Sequence, residues 1–164
     1  MRKAVEMLMA IGFAFDASAR DAWYQDLGTD SPLLLALLHS ESDLDLARMY
    51  LTRSIETDVR GVTELTRSFL HGLVASRTGD PELAVAQFAR LDSVPARLNT
   101  FDLGWGLRNH SILLRAEAYE EIADTARALA HYERFVGLWP DADTLAMTLV
   151  LRARRGIERM GGQP

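Results

Sequence analysis

The chain has 164 residues, 48% of them hydrophobic and 25% charged, which suits one domain or a short repeat array and excludes a disordered composition. Its formal net charge of −5 argues against a general binder of nucleic acid or of anionic membranes. Cysteine is absent, which excludes disulfides, zinc–thiolate sites and cysteine nucleophiles, and Lys3 is the single lysine beside 17 arginines.

At the start, Arg2 and Lys3 precede an apolar stretch, and Ala17-Ser18-Ala19 has the small-x-small form of a leader cleavage site. Glu6 inside the stretch and Asp16 beside the site oppose a cleaved leader. The expectation is an amphipathic helix over 3–25 and a cytoplasmic location. No apolar run approaches the ~20 residues needed to cross a bilayer. Gly28 and Ser31-Pro32 then break the chain before a helix over 32–40, and Ser42 with Asp45 resembles a capping pair for a helix over 43–56. A stripe of Leu65, Phe69, Leu70, Leu73 and Val74 predicts a helix over 59–78, stopped at Gly79. Asp80-Pro81-Glu82 supplies a cap, a first-turn proline and an acid at the positive end of a helix over 81–92. Ile112, Leu113, Ala116, Tyr119 and Ile122 mark a helix over 105–122. Asp124 opens one over 125–138, which Pro140 ends. Asp143 opens the last, over 143–160, with Leu145, Leu149, Ala153, Ile157 and Met160 as its stripe. Strand signals are nearly missing, so the class is all-α with seven or eight helices.

The helix starts share a register. Ser42-Asp43, Gly79-Asp80 and Ala123-Asp124 are small-then-Asp pairs. Four residues past each Asp stands an alanine (Ala47, Ala84, Ala128), and four further on a large apolar residue (Leu51, Phe88, Tyr132). Twelve residues before each alanine stands Leu35, Gly72 or Ala116. Small residues at Gly72 and Ala116 on one helix and Ala84 and Ala128 on the next allow two backbones to approach closely. Phe88 and Tyr132 fill the space toward the following unit.

These residues resemble the tetratricopeptide repeat family, whose signature has Gly-x-x-Tyr in a first helix and Ala-x-x-x-Phe then Pro in a second. The unit over 112–140 fits best, with Ala116, Tyr119, Ala128, Tyr132 and Pro140 in place. The unit over 66–95 follows, with Gly72, Ala84 and Phe88, and its Pro95 falls one position early. The spacing departs from the family period, and the excess lies over 91–108. The resemblance implies an all-α, right-handed superhelical stack of antiparallel helix hairpins, a TPR-like α-solenoid closed by a C-terminal capping helix. Residues 1–30 would form an N-terminal helix that fits a truncated repeat. A degenerate hairpin would span 31–58, two further hairpins 59–98 and 99–140, and the capping helix with its tail 141–164. No hairpin covers its own apolar face, so the units must stack. The family register also places Phe69, Leu73, Ser76 and Arg77 of one unit, and His110, Leu113, Glu117 and Glu120 of the next, along a concave groove that takes a peptide or helix. The clamp of Lys, Asn and Arg that some family members use is replaced here by Glu117 and Glu120, which favours a basic or amphipathic segment. The stretch over 116–143 looks like the last repeat of large bacterial regulatory proteins.

No catalytic constellation stands out. His39, His71, His110 and His131 form no His-x-x-x-His pair, and no nucleophile elbow, phosphate loop or dinucleotide fingerprint is present. The glycine-rich run over 102–106 reads as a turn in which Trp105 plugs a gap between hairpins. Arg152, Arg154, Arg155 and Arg159 lack interleaved aromatics and read as solubility and capping charges rather than a nucleic-acid surface. The leading expectation is therefore a non-enzymatic interaction module whose partner is an unidentified protein or peptide. No metal, cofactor, nucleic acid or membrane is expected. A second reading is a small helical ligand- or metal-binding bundle or enzyme, with a site among His71, His110, Glu117 and His131. A third is self-association through the first helix, where Met7, Ile11, Phe15 and Trp23 exceed what one face needs.

Overall fold

A computed structural model describes residues 36, 39, 43–56, 64–93, 103–140 and 144–161. These residues form six helices: α1 (Leu44–Glu56), α2 (Glu64–Arg77), α3 (Pro81–Ser93), α4 (Leu103–Glu121), α5 (Thr125–Gly137) and α6 (Thr144–Arg159). No strand occurs among them. The helix expected over 3–25, the side chain of Trp105, and Pro95 lie outside what is described. Of the helix expected over 32–40 only Ala36 and His39 are described, both helical, with Ala36 buried in an apolar core. Among the described residues, the helix ends agree to within a residue or two with those read in the sequence, and the expected start of α2 at 59 lies outside them. The run over 103–106, read as a turn, is instead the first turn of α4: two glycines lower helix propensity only modestly, and the buried face that begins at Leu107 outweighs them.

The register of small-then-Asp pairs has a structural cause. At the end of α2, Gly79 adopts φ 74°, in the left-handed region that glycine enters freely. The Gly79 N–H then donates to the Ser76 carbonyl at 3.2 Å, and the Asp80 N–H to the Ala75 carbonyl at 3.0 Å. Both bonds satisfy carbonyls that the helix end would leave orphaned. The Asp80 carboxylate in turn accepts from the Leu83 N–H at 3.1 Å, so one residue closes a helix and caps the next. The same turn recurs between α4 and α5. The Ala123 N–H donates to Glu120, the Asp124 N–H donates to Tyr119, and Asp124 accepts from the Arg127 N–H at 3.1 Å. Here the left-handed position is held by Ala123 at φ 60°, a conformation that costs an L-residue about 1–2 kcal/mol. Asp43 caps α1 in the same way through the Leu46 N–H.

Each helix packs on its successor from α1 to α6; α2 also touches α4, and α4 touches α6. The result is a run of sequential antiparallel pairs, consistent with a TPR-like helical stack. Ala84, Ala116 and Ala128 are fully buried, as are Phe88 and Tyr132. Gly72 lies beneath Phe88 so closely that a Cβ there would stand 2.6 Å from the ring. Two apolar cores result. One joins α1, α2 and α3 to Leu107, Leu114 and Ala118 of α4. The other joins Ile112, Leu113, Ala116 and Tyr119 of α4 to α5 and α6. Val85 of α3 packs against both. Helix α4 is thus the wall between two cores, and it is buried on most of its circumference between Leu107 and Tyr119. Among the described residues, no helix is long and apolar enough to cross a membrane.

Candidate functional site

The first helices of the pairs, α2 and α4, carry the residues that the family register assigns to the groove. Phe69, Leu73 and Leu113 are buried in the two cores. The Phe69 ring lies 5.9 Å from Phe88 and 5.8 Å from His110, so these side chains knit α2, α3 and α4 together. Ser76 is half-buried and Arg77 is exposed at the end of α2.

Glu117 and Glu120 meet arginines of α6. Arg152 donates to both carboxylate oxygens of Glu117, with NH2 to Oε2 at 2.6 Å. Arg159 donates to both oxygens of Glu120, at 2.7 and 2.9 Å. Glu120 also accepts from the buried Tyr132 hydroxyl at 2.6 Å. The two acids have different electrostatic settings. Burial pushes the Glu117 carboxyl above the ordinary value, and Arg152 offsets this only in part. The hydrogen bonds from Arg159 hold Glu120 below its ordinary value against a smaller effect of burial, with Tyr132 helping. Both acids are committed to holding α6 on α4.

A second polar knot lies on the other side of α4. Arg115 is the one buried charged side chain among the described residues. It donates to Asp92 at 2.8 Å and to the Phe88 carbonyl at 2.7 Å, while its Nε has no partner. It also approaches His131 Nε2 at 3.4 Å. His131 Nδ1 lies 2.9 Å from the Arg127 carbonyl, so Nδ1 carries the proton and Nε2 faces the guanidinium as an acceptor. The Tyr119 ring sits 5.1 Å from the imidazole, and the Arg127 guanidinium lies over that ring. Burial, then Arg115 and Arg134, push the His131 pKa down against the opposing effects of Arg127's carbonyl and Asp92. His71 is pushed down as well, by burial first and then by Arg67 and Arg90.

The four residues proposed for a ligand or metal site therefore each have separate surroundings: His71 near Arg67 and Arg90, His110 against Phe69, Glu117 on Arg152 and His131 on Arg115. Among the described residues, no three His, Asp or Glu side chains converge.

Two contributors escaped the sequence reading. Gly156 of α6 lies against the Tyr132 ring, as Gly72 lies against Phe88, and a Cβ there would collide with it. A glycine inside an otherwise helical stretch is the signal that marks such a contact. Arg115 is the other; an arginine inside the apolar run over 112–116 is its signal.

The geometry is that of a helical repeat stack in which first helices face one another through side-chain pairs and second helices cover them. A family model described as tetratricopeptide repeat matches residues 110–142, which take in most of α4, all of α5 and the turn between them. The match spans one repeat unit and includes Ala116, Tyr119, Ala128, Tyr132 and Pro140. No curated protein and no solved structure matches the chain. A tetratricopeptide repeat suggests a protein-interaction scaffold, and the family is typically non-catalytic.

Proposed function

We propose that the chain is a non-enzymatic interaction module that binds a peptide or helix of another protein along the row formed by its first helices. The row includes Phe69, Leu73, Arg77, His110, Leu113, Glu117 and Glu120, in which the buried members set the spacing of α2 and α4, Glu117 and Glu120 hold α6 in line with them, and exposed Arg77 meets the partner. The module is cytoplasmic and belongs with, or to, a larger bacterial regulatory protein. The observation that carries this reading is the recurrence of one turn at Gly79-Asp80 and Ala123-Asp124, which joins successive helices into a stack. Such a stack offers a long continuous surface that reads several side chains in sequence.

Photo-crosslinking in the source cell tests it. Crosslinkers at Arg77 and Glu121 sit at exposed positions on α2 and α4, and crosslinkers at Glu133 and Arg134 sit at exposed positions on α5. The expected result is a recurrent protein adduct from the first pair and not from the second. Equal labelling from both, or none together with strong thermal stabilisation by a metal or cofactor, overturns the reading.

A further inference from the structure

We infer that the open part of this row lies on α6 and takes an acidic amphipathic helix of a partner protein. The inference rests on the groove reading above and names the partner class. Met147, Leu151 and Arg154 stand one family period of ~34 residues after Leu113, Glu117 and Glu120, so the row on α4 continues onto α6. On α4 that row is closed, because Leu113 is buried and both acids are bound to Arg152 and Arg159. On α6 it is open. Met147 is 40% exposed and Leu151 is 44% exposed, one helical turn apart on a single ridge. The adjoining flank of the helix, at Val150, Ala153 and Ile157, is buried in the second core. Exposed apolar residues occur singly on any surface, but these two are adjacent and are followed within one turn by Arg154 and Arg155.

Arg154 and Arg155 are exposed, follow Leu151 on the same ridge, and hold no ion pair among the described residues. Glu158 comes one turn later and limits the positive stretch to the middle of the helix. The partner that complements this order has aliphatic or aromatic anchors at helical spacing over Met147 and Leu151. Its carboxylates lie toward Arg154 and Arg155, where a guanidinium can grip both oxygens of one acid. This reverses the sign expected from the sequence. Glu117 and Glu120 suggested a basic segment, but α6 neutralises them internally and leaves the positive charge facing outward.

The test uses the full chain and a designed helical peptide of ~18 residues with Leu and Phe along one face and Glu beside them, its Glu→Lys copy, and fluorescence anisotropy at two salt concentrations. The acidic peptide binds and the Lys copy does not, and binding weakens with salt. Leu151→Asp weakens it by about tenfold or more, and Arg154→Glu with Arg155→Glu shifts preference to the Lys copy. All three positions are exposed, and a circular-dichroism melt of each variant confirms the fold. Preference for the Lys copy overturns the acidic assignment while the groove reading stands. Binding of neither peptide, or self-association of the chain that Leu151→Asp abolishes, overturns the inference, and the crosslinking pattern at Arg77 and Glu121 then judges the groove reading by itself.

Discussion

At Gly72 the decisive quantity is the space beneath one ring. A methyl group there would stand 2.6–2.9 Å from three carbons of Phe88. Phe88 is itself fully buried and packed against Phe69, so it has nowhere to retreat. Alanine gains about 1 kcal/mol over glycine in helix propensity. Overpacking a filled core costs about 1–3 kcal/mol. Gly72→Ala is therefore expected to destabilise by up to about 2 kcal/mol. The same substitution in a Phe88→Leu background, where the ring is gone, is expected to be neutral or stabilising relative to Phe88→Leu alone. Urea unfolding of the four proteins measures the coupling, and additive effects would show that the ring and the glycine do not compete for space. The sequence made Gly72 legible because its position in the repeat register demanded a small residue. Gly156 was not legible in that way, since it lies outside any signature position and its ring, Tyr132, comes from the preceding helix.

Helix α6 shows how an element can be read correctly while its role is not. Its apolar stripe and its arginines were visible in the sequence, while Asp143, read as its start, lies outside the described residues. The partners of those arginines were not, because Glu117 and Arg152 stand 35 positions apart and spacing along one helix says nothing about a neighbour in the stack. Helix α4 failed differently. Its expected single stripe is one of two buried faces, and a helix apolar on most sides loses the periodicity from which a face is read. The two acids that hold α6 make unequal contributions. Glu117 is more easily protonated in the fold than in the unfolded chain, so its ionisation at neutral pH opposes folding. Glu120 is harder to protonate in the fold, so its ionisation favours folding. Glu117→Gln is accordingly expected to leave stability at pH 7 unchanged or slightly higher. Glu120→Gln, which weakens the bonds from both Arg159 and Tyr132, is expected to lose about 1 kcal/mol. Thermal unfolding at pH 7 separates the two, and a larger loss from Glu117→Gln would contradict the burial argument.

Across the molecule, the three inner helices α3, α4 and α5 meet at Arg115, and this gives the stack a common response to acid. Arg115 approaches His131 on α5, and it bonds to the Phe88 carbonyl and Asp92 on α3. Neutral His131 fits this knot, with its protonated nitrogen on the Arg127 carbonyl and its bare one toward the guanidinium. A second proton would set two cations face to face, with Arg134 adding to the repulsion and only Asp92 and the Arg127 carbonyl opposing it. His71, flanked by Arg67 and Arg90, responds with the same sign in the first core. Both folded-state pKa values lie below 6.5, so the unfolded chain takes up protons first as pH falls. The stability these imidazoles contribute is complete above pH 6.5 and is lost as pH drops through their folded values. Glu117 acts in the opposite sense, with its contribution complete below 4.5 and lost as pH rises through its raised folded value. Below pH 6.5 Glu117 therefore opposes the histidines, and a fall in stability toward about pH 5 reports on the histidines acting against it. Urea midpoints are expected to be level from pH 8 to 7 and to fall as pH drops below 6.5. His131→Gln, which keeps a hydrogen-bonding side chain without a titratable one, is expected to flatten the fall, and His71→Gln to flatten it further. A profile that keeps its slope in the double variant would place the acid sensitivity in carboxylates and not in the knot around Arg115.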